Sequence, residues 1–319
     1  VTGAEAVWHN VLDKLGYTKT EINEFISGPG FFAWWLMNNL EGWGGPNPDS
    51  WYTRQIALQK KILKRMREYG IEPVLPGYCG MVPHNAKEKL GLNVSDPGTW
   101  CGYRRPAFLQ PSDPRFEEIS SLYYKELEKL YGKANFYSMD PFHEGGNTAG
   151  VDLDAAGKAV MKAMKKANPK AVWVAQAWQA NPRPKMIENL KAGDLLILDL
   201  TSECGDSTSE WYRKIGYGQH DWIYCMLLNY GGNVGLHGKM DNVIDNFYLA
   251  KADPHASATL KGVGMTPEGI ENNPVMYELV MELPWRPDRF TKEEWLKEYV
   301  KARYGVDDPV VQAAWTNLA

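Results

Sequence analysis

Six short strand-like runs recur along this chain, each preceded by a segment with helical spacing and most followed by polar or glycine-rich residues. They are 71–76 (IEPVLP), 135–140 (NFYSMD), 171–176 (AVWVAQ), 195–200 (LLILDL), 222–227 (WIYCML) and 259–263 (TLKGV). The later ones are nearly continuous in apolar residues, which suits strands covered on both faces, as in a parallel sheet flanked by helices. The intervening segments carry helix signals. In 50–69, Ile56, Ile62, Leu63 and Met66 recur at helical spacing, basic residues crowd the last turn and Gly70 follows as a stop. Asp113 reads as a cap with Pro114 at the first helical position, and Ile119, Leu122, Tyr123, Leu127 and Leu130 form the inner face of a helix ending before Gly132. Further helices are expected at about 5–15 and 152–167, and within 183–191, 207–215 and 239–251.

The economical fold for this alternation is an α/β protein, a (β/α)8 TIM barrel lacking its first two strands, over residues 1–276. A doubly wound open sheet is the rival, but no glycine-rich nucleotide fingerprint follows any strand. After Met276 the pattern is helical only, and Thr291-Lys-Glu-Glu294 is a capping box for a helix through Arg303. Residues 277–319 therefore read as the start of an all-α C-terminal domain, and the chain as beginning inside a larger protein.

Composition excludes several classes. A net charge of −4 over 319 residues gives no polyanion-binding surface, so nucleic acid is not an expected partner. There is no run of 18 apolar residues and hence no expected membrane span. Cys79, Cys101, Cys204 and Cys225 show no CxxC spacing and no clustered histidines, so a structural zinc site is not expected. The 13 Trp and 17 Tyr against 9 Phe are distinctive, because rings with a flat apolar face and a polar edge suit pyranose sugars as well as protein cores.

Barrel chemistry sits on the loops after the strands. Behind 135–140 comes Pro141-Phe-His143-Glu144-Gly-Gly, and behind 259–263 comes Gly264-Met-Thr-Pro-Glu268-Gly. Two carboxylates on separate strand ends are what glycoside hydrolysis needs, one to protonate the leaving oxygen and one to attack the anomeric carbon or activate water. Each has a plain alternative as an exposed loop carboxylate or half of a salt bridge, and Glu271 competes at the second loop. Gln176-Ala-Trp178, Leu200 and Asn229 follow other strands and can supply a sugar pocket. Of the adjacent Trp34 and Trp35, one is expected to be core. His84, His237 and Cys225 read as structural.

These residues lie within longer blocks. The chain resembles the α-N-acetylglucosaminidases of glycoside hydrolase family 89 over nearly its whole length, in EINEFISGPGFFAWWLMNNLEGWGGPNPDSW, PVLPGYCGMVP, YSMDPFHE, VWVAQAW, LLILDL, CMLLNYGGN and GMTPEGIENN. The resemblance implies a retaining exo-glycosidase acting on terminal α-linked N-acetylglucosamine of heparan sulfate or mucin-type glycans, in a secreted, periplasmic or lysosomal setting. It makes Glu144 the acid/base and Glu268 the nucleophile, and it places Trp34, Trp100, Trp178 and Leu200 in the pocket. Asn229, by its place behind a strand, and His143, beside the acid, can add hydrogen bonds to the sugar. Departures are His143, where the family usually has Asn, and Leu228, where it commonly has His. These departures are expected to alter contacts and not the chemistry. His143 and the two missing strands together leave open a glycan-binding protein without turnover, and a glycosidase of another sugar specificity on the same two carboxylates is a further alternative.

Overall fold

The computed structural model describes residues 3–204, 217–228, 238–269 and 273–318. They form two compact units, Val1–Ala175 with Gln179–Leu195, and Gln176–Trp178 with Leu196–Ala319. The first unit holds strands β1 (Val74–Pro76) and β2 (Phe136–Ser138) and most of β3 (Val172–Ala177), all parallel. Val74 lies opposite Phe136, and Tyr137 opposite Trp173. Its main helices are α1 (Ala4–Lys14), α2 (Asp49–Glu68), α3 (Arg115–Tyr131) and α4 (Leu153–Ala167), each within two residues of its expected start. Asp113 does not itself cap α3, which starts from Pro114. Its carboxylate instead accepts from the Arg115 and Asn93 amides, tying the helix start to the preceding loop.

Aromatic packing closes this unit. Trp8 of α1 meets Phe25, Tyr78 and Tyr123 with ring centroids 5.2–6.0 Å apart, and Phe25 meets Trp35 edge-on at 5.6 Å. Trp35 is fully buried, whereas its neighbour Trp34 is 37% exposed, so the pair divides between core and surface. Between β1 and α3 lie small antiparallel elements that the sequence did not reveal. One is a sheet of Met81–Val82, Val94–Ser95 and Ala107–Leu109; the other is a hairpin of Thr99–Trp100 with Tyr103–Arg104. Strands of two or three residues are too short to show a period of two.

The second unit holds β4 (Leu195–Asp199) from Leu196 onward, β5 (Asp221–Met226) and β6 (Leu260–Met265), again parallel and adjacent in that order. The Leu200 amide donates to Ala177 at the end of β3 at 3.3 Å, so that strand end belongs here. The β5–β6 register slips after Trp222, where Leu260 and then Gly262 are the partners. Gly264 suits this close approach, since a Cβ there would sit 3.0 Å from the Cys225 sulfur and 3.1 Å from Ile223. Helices α5 (Met240–Ala252), α6 (Pro274–Glu282), α7 (Lys292–Tyr304) and α8 (Pro309–Leu318) follow. The expected capping box is present at Thr291 and Glu294. The expected division between 276 and 277 falls inside α6. Of the expected helix at 183–191 only Pro184–Ile187 is α-helical, and 207–215 lies outside the described residues.

Within each unit β1 to β3, or β4 to β6, run the same way, so the loops after them gather at one end of that unit's parallel strands. One helix contact has a sharp test. Gly157 in α4 sits where an added Cβ would lie 1.9 Å from the Met186 carbonyl oxygen. Alanine ordinarily stabilises a helix interior by nearly 1 kcal/mol over glycine. Here Gly157→Ala is expected to reverse that sign and destabilise the fold by about 2 kcal/mol through overpacking against backbone, seen as a lowered Tm on thermal unfolding.

Candidate active site

The loop behind β2 is built on unusual backbone. Phe142 and Glu144 both have positive φ, 60° and 46°, and Gly145 follows at 85°. Left-handed conformations at non-glycine residues persist only where surrounding contacts hold them. Two sets of contacts do so. Phe142 is buried against Phe108 with ring centroids 4.5 Å apart, and Arg105 binds the turn from within. Its guanidinium donates to the His143 carbonyl at 2.9 Å and to the Glu144 carbonyl at 2.7 Å.

Arg105 is only 1% exposed, and its remaining bonds go to two other segments. It donates to the Asn38 carbonyl at 3.3 Å, to Asn39 Oδ1 at 2.9 Å and to the Thr99 carbonyl at 3.4 Å. Burial lowers its pKa, and the Glu144 charge nearby pulls it back up. Asn39, itself fully buried, donates from Nδ2 to Glu144 Oε2 at 2.5 Å. The Glu144 side chain is thus half-buried and held by a buried amide.

Trp100 stands in the same small hairpin that Arg105 grips through Thr99. The turn Cys101-Gly102 has positive φ at both residues, 48° and 84°, as a tight two-residue hairpin requires. Trp100 lies against Trp34 with centroids 5.9 Å apart and planes 30° apart, so two expected pocket residues meet in one aromatic surface. His143 is 2% exposed, and neither ring nitrogen has a hydrogen-bond partner among the described residues. Burial, aided by the Arg105 charge, pushes its pKa down to about 4, so the ring is neutral near pH 7.

In the second unit, Leu200 is buried directly behind β4 and bonded to Ala177, which precedes the half-buried Trp178. Asp199 accepts from the Thr201 amide and hydroxyl and from the Tyr217 hydroxyl at 2.9 Å. Glu203 is buried, and desolvation raises its pKa; one oxygen accepts from the Leu227 and Leu228 amides at 2.9 and 3.2 Å. The carboxylate therefore shapes the end of β5. Behind β6, the Thr266 amide and hydroxyl both donate to the Met226 carbonyl, at 3.0 and 3.3 Å, and Glu268 stands exposed two residues later.

Asn229, Glu271 and His237 lie outside the described residues. His84 pairs through Nδ1 with Glu41, and Cys225 is buried in β5. Among the described residues no group of three or more His, Cys, Asp or Glu side chains is placed to hold a metal ion, and no described helix is long and apolar enough to cross a membrane. Arg105 and Asn39 were not singled out in the sequence. An arginine in a YRRP turn looks like ordinary surface charge, and Asn39 is one of two adjacent asparagines.

The parallel β/α architecture, with its helical continuation, defines a TIM-barrel domain. Residues 1–287 match the family model of the α-N-acetylglucosaminidase tim-barrel domain. The chain belongs to that family, glycoside hydrolase family 89. It is 38% identical over 99% of its length to human α-N-acetylglucosaminidase, of which the match covers 44%. A solved family 89 glycoside hydrolase from Clostridium perfringens, in complex with 2-acetamido-1,2-dideoxynojirimycin, superposes with a TM-score of 0.90 at 34% identity, covering 100% of this chain and 36% of that one. A variant of the Clostridium perfringens enzyme with two glutamates changed to glutamine, bound to its substrate GlcNAc-α-1,4-galactose, gives a TM-score of 0.88 at 35% identity, over 99% and 36% of the two chains. The chain thus spans less than half the length of these relatives.

Neutral burial of His143 has a pH signature. Its folded-state pKa, about 4, lies below its ordinary value of 6.5. Between these values the unfolded chain binds a proton that the folded one does not, so stability falls as the pH drops through that window. At about 1.4 kcal/mol per pKa unit, the loss attributable to His143 reaches about 3 kcal/mol near pH 4 and vanishes above pH 7. Thermal unfolding of wild type and His143→Asn from pH 7 to 4 is expected to show the variant losing less stability on acidification.

Proposed function

We propose that this chain carries the catalytic machinery of a retaining exo-α-N-acetylglucosaminidase, cleaving terminal α-linked N-acetylglucosamine from heparan sulfate or mucin-type glycans. The observation that carries this reading is the coverage of almost the entire chain by a family 89 enzyme solved with GlcNAc-α-1,4-galactose, in which two glutamates are replaced by glutamine. Here Glu144 and Glu268 stand directly behind two parallel strands of such a fold.

In the first step the Glu268 carboxylate attacks the anomeric carbon. Glu144 gives its proton to the glycosidic oxygen, which leaves with the bonding electrons as an alcohol. In the second step Glu144, now ionised, takes a proton from water as that water displaces Glu268 from the sugar. Trp34 and Trp100 offer an apolar surface to the sugar, and Trp178, Leu200, His143 and Asn229 complete the proposed pocket. The mechanism needs no metal or organic cofactor. Residues 277–319 are read as a helical region distinct from the barrel, because their described part is helical with no strand. A secreted, periplasmic or lysosomal location follows the resemblance.

Two measurements test the assignment. Glu268→Gln is expected to abolish turnover of an aryl α-N-acetylglucosaminide, by at least about 1,000-fold, the upper part of the range for losing a group that acts on the reacting atoms; survival of activity removes Glu268 from the nucleophile role. A structure with bound inhibitor is expected to place the two carboxyl groups about 5–5.5 Å apart, and a spacing of roughly 6.5–9.5 Å would instead indicate inversion.

A further inference from the structure

The amide of Asn39 lies between two groups of opposite hydrogen-bonding character. On one side stands the guanidinium of Arg105, which has five donors and no acceptor. On the other stands a carboxyl oxygen of Glu144. Arg105 can face only an oxygen, so its 2.9 Å bond to Asn39 requires Oδ1 on that side and sends Nδ2 toward Glu144. The arginine thereby decides which way round the amide sits, a choice that otherwise rests on weak preferences.

Full burial of Asn39 leaves water no means of re-orienting the amide. The same arginine grips the carbonyls of His143 and Glu144, the second of which belongs to the left-handed residue carrying the carboxyl. Backbone and side-chain orientation of Glu144 therefore depend on one guanidinium.

We propose that Arg105 and Asn39 act as positioning residues for the Glu144 carboxyl, fixing which of its two oxygens holds the transferable proton. This inference rests on the reading of Glu144 as acid/base. An oxygen that accepts from Nδ2–H serves best as the carbonyl-type oxygen of the neutral acid. The proton then resides on Oε1, which delivers it to the departing glycosidic oxygen as the C–O bond breaks and its electron pair passes to that oxygen. Losing the Asn39 donor lets the proton occupy either oxygen and the carboxyl rotate, which costs proton delivery more than sugar binding.

Proton delivery is separable from binding by the leaving group. A 2,4-dinitrophenyl α-N-acetylglucosaminide needs little protonation, whereas a methylumbelliferyl or sugar aglycone needs it. For Asn39→Ala, kcat/KM for the poorer leaving groups is expected to fall about 10- to 100-fold, a part of the general-acid contribution, while the dinitrophenyl glycoside changes by less than about 3-fold. Arg105→Lys keeps the charge but loses the fork and is expected to show the same split.

Glu144→Gln run alongside separates the two ideas. If it shows no dependence on the leaving group, the acid/base reading of Glu144 fails. If it shows that dependence but Asn39→Ala loses equally on both substrates, or loses on neither, the positioning proposal is overturned. Asn39→Ser, too short to reach Glu144, stands in should the alanine variant not fold, with the same outcomes deciding.

Discussion

A buried guanidinium organises the first unit's candidate catalytic region. Removing an arginine from water is costly unless its donors are all met by well-placed acceptors. Arg105 meets them with carbonyls or an amide oxygen from three stretches of chain: the loop after the FFAWW block, the hairpin at residues 98–105, and the turn behind β2. None of these stretches has regular secondary structure of any length. The arginine supplies the bonding that a longer strand or helix would have supplied for itself, and it keeps Glu144 and Phe142 in left-handed conformations that their side chains disfavour.

The arrangement also explains the partition of the aromatic residues. Trp35 is locked in the core with Phe25 and Trp8, so the short helix Phe32–Leu36 is fixed in rotation. Fixing Trp35 inward turns Trp34 outward onto Trp100. One tryptophan provides burial energy, at roughly 25 cal/mol per Å² of apolar surface, and the next is left partly exposed beside a second ring. The second unit works differently. There β4, β5 and β6 lie side by side in parallel, and Asp199, Glu203 and Thr266 fix the loops behind them by bonding to neighbouring backbone or hydroxyl groups.

Much of the fold was legible because its signals are local or periodic. The helices at 49–68, 115–131 and 153–167 and all six parallel strands emerged within about two residues at most of their ends, since helical spacing, stop residues and short runs of strand-forming residues are read locally and need no partner to be recognised. Glu144 and Glu268 stood out as candidates for a similarly local reason, as carboxylates behind strands with glycine or proline beside them. Illegible were the small antiparallel elements between 81 and 109, too short for a pattern, and the buried role of Arg105, whose acceptors lie up to 67 residues away.

Local sequence, then, determined where helices and strands form, which loops follow the strands, and which residue types those loops offer. Periodicity, caps and turn residues act over fewer than about 20 residues. Tertiary structure alone decided the states of those residues: that Trp34 rather than Trp35 faces outward, that His143 is buried and neutral, and that Glu144 hangs from Asn39 and Arg105. Each depends on desolvation and on hydrogen bonds between segments far apart in the chain. Such energies exist only once folding has removed the water between them.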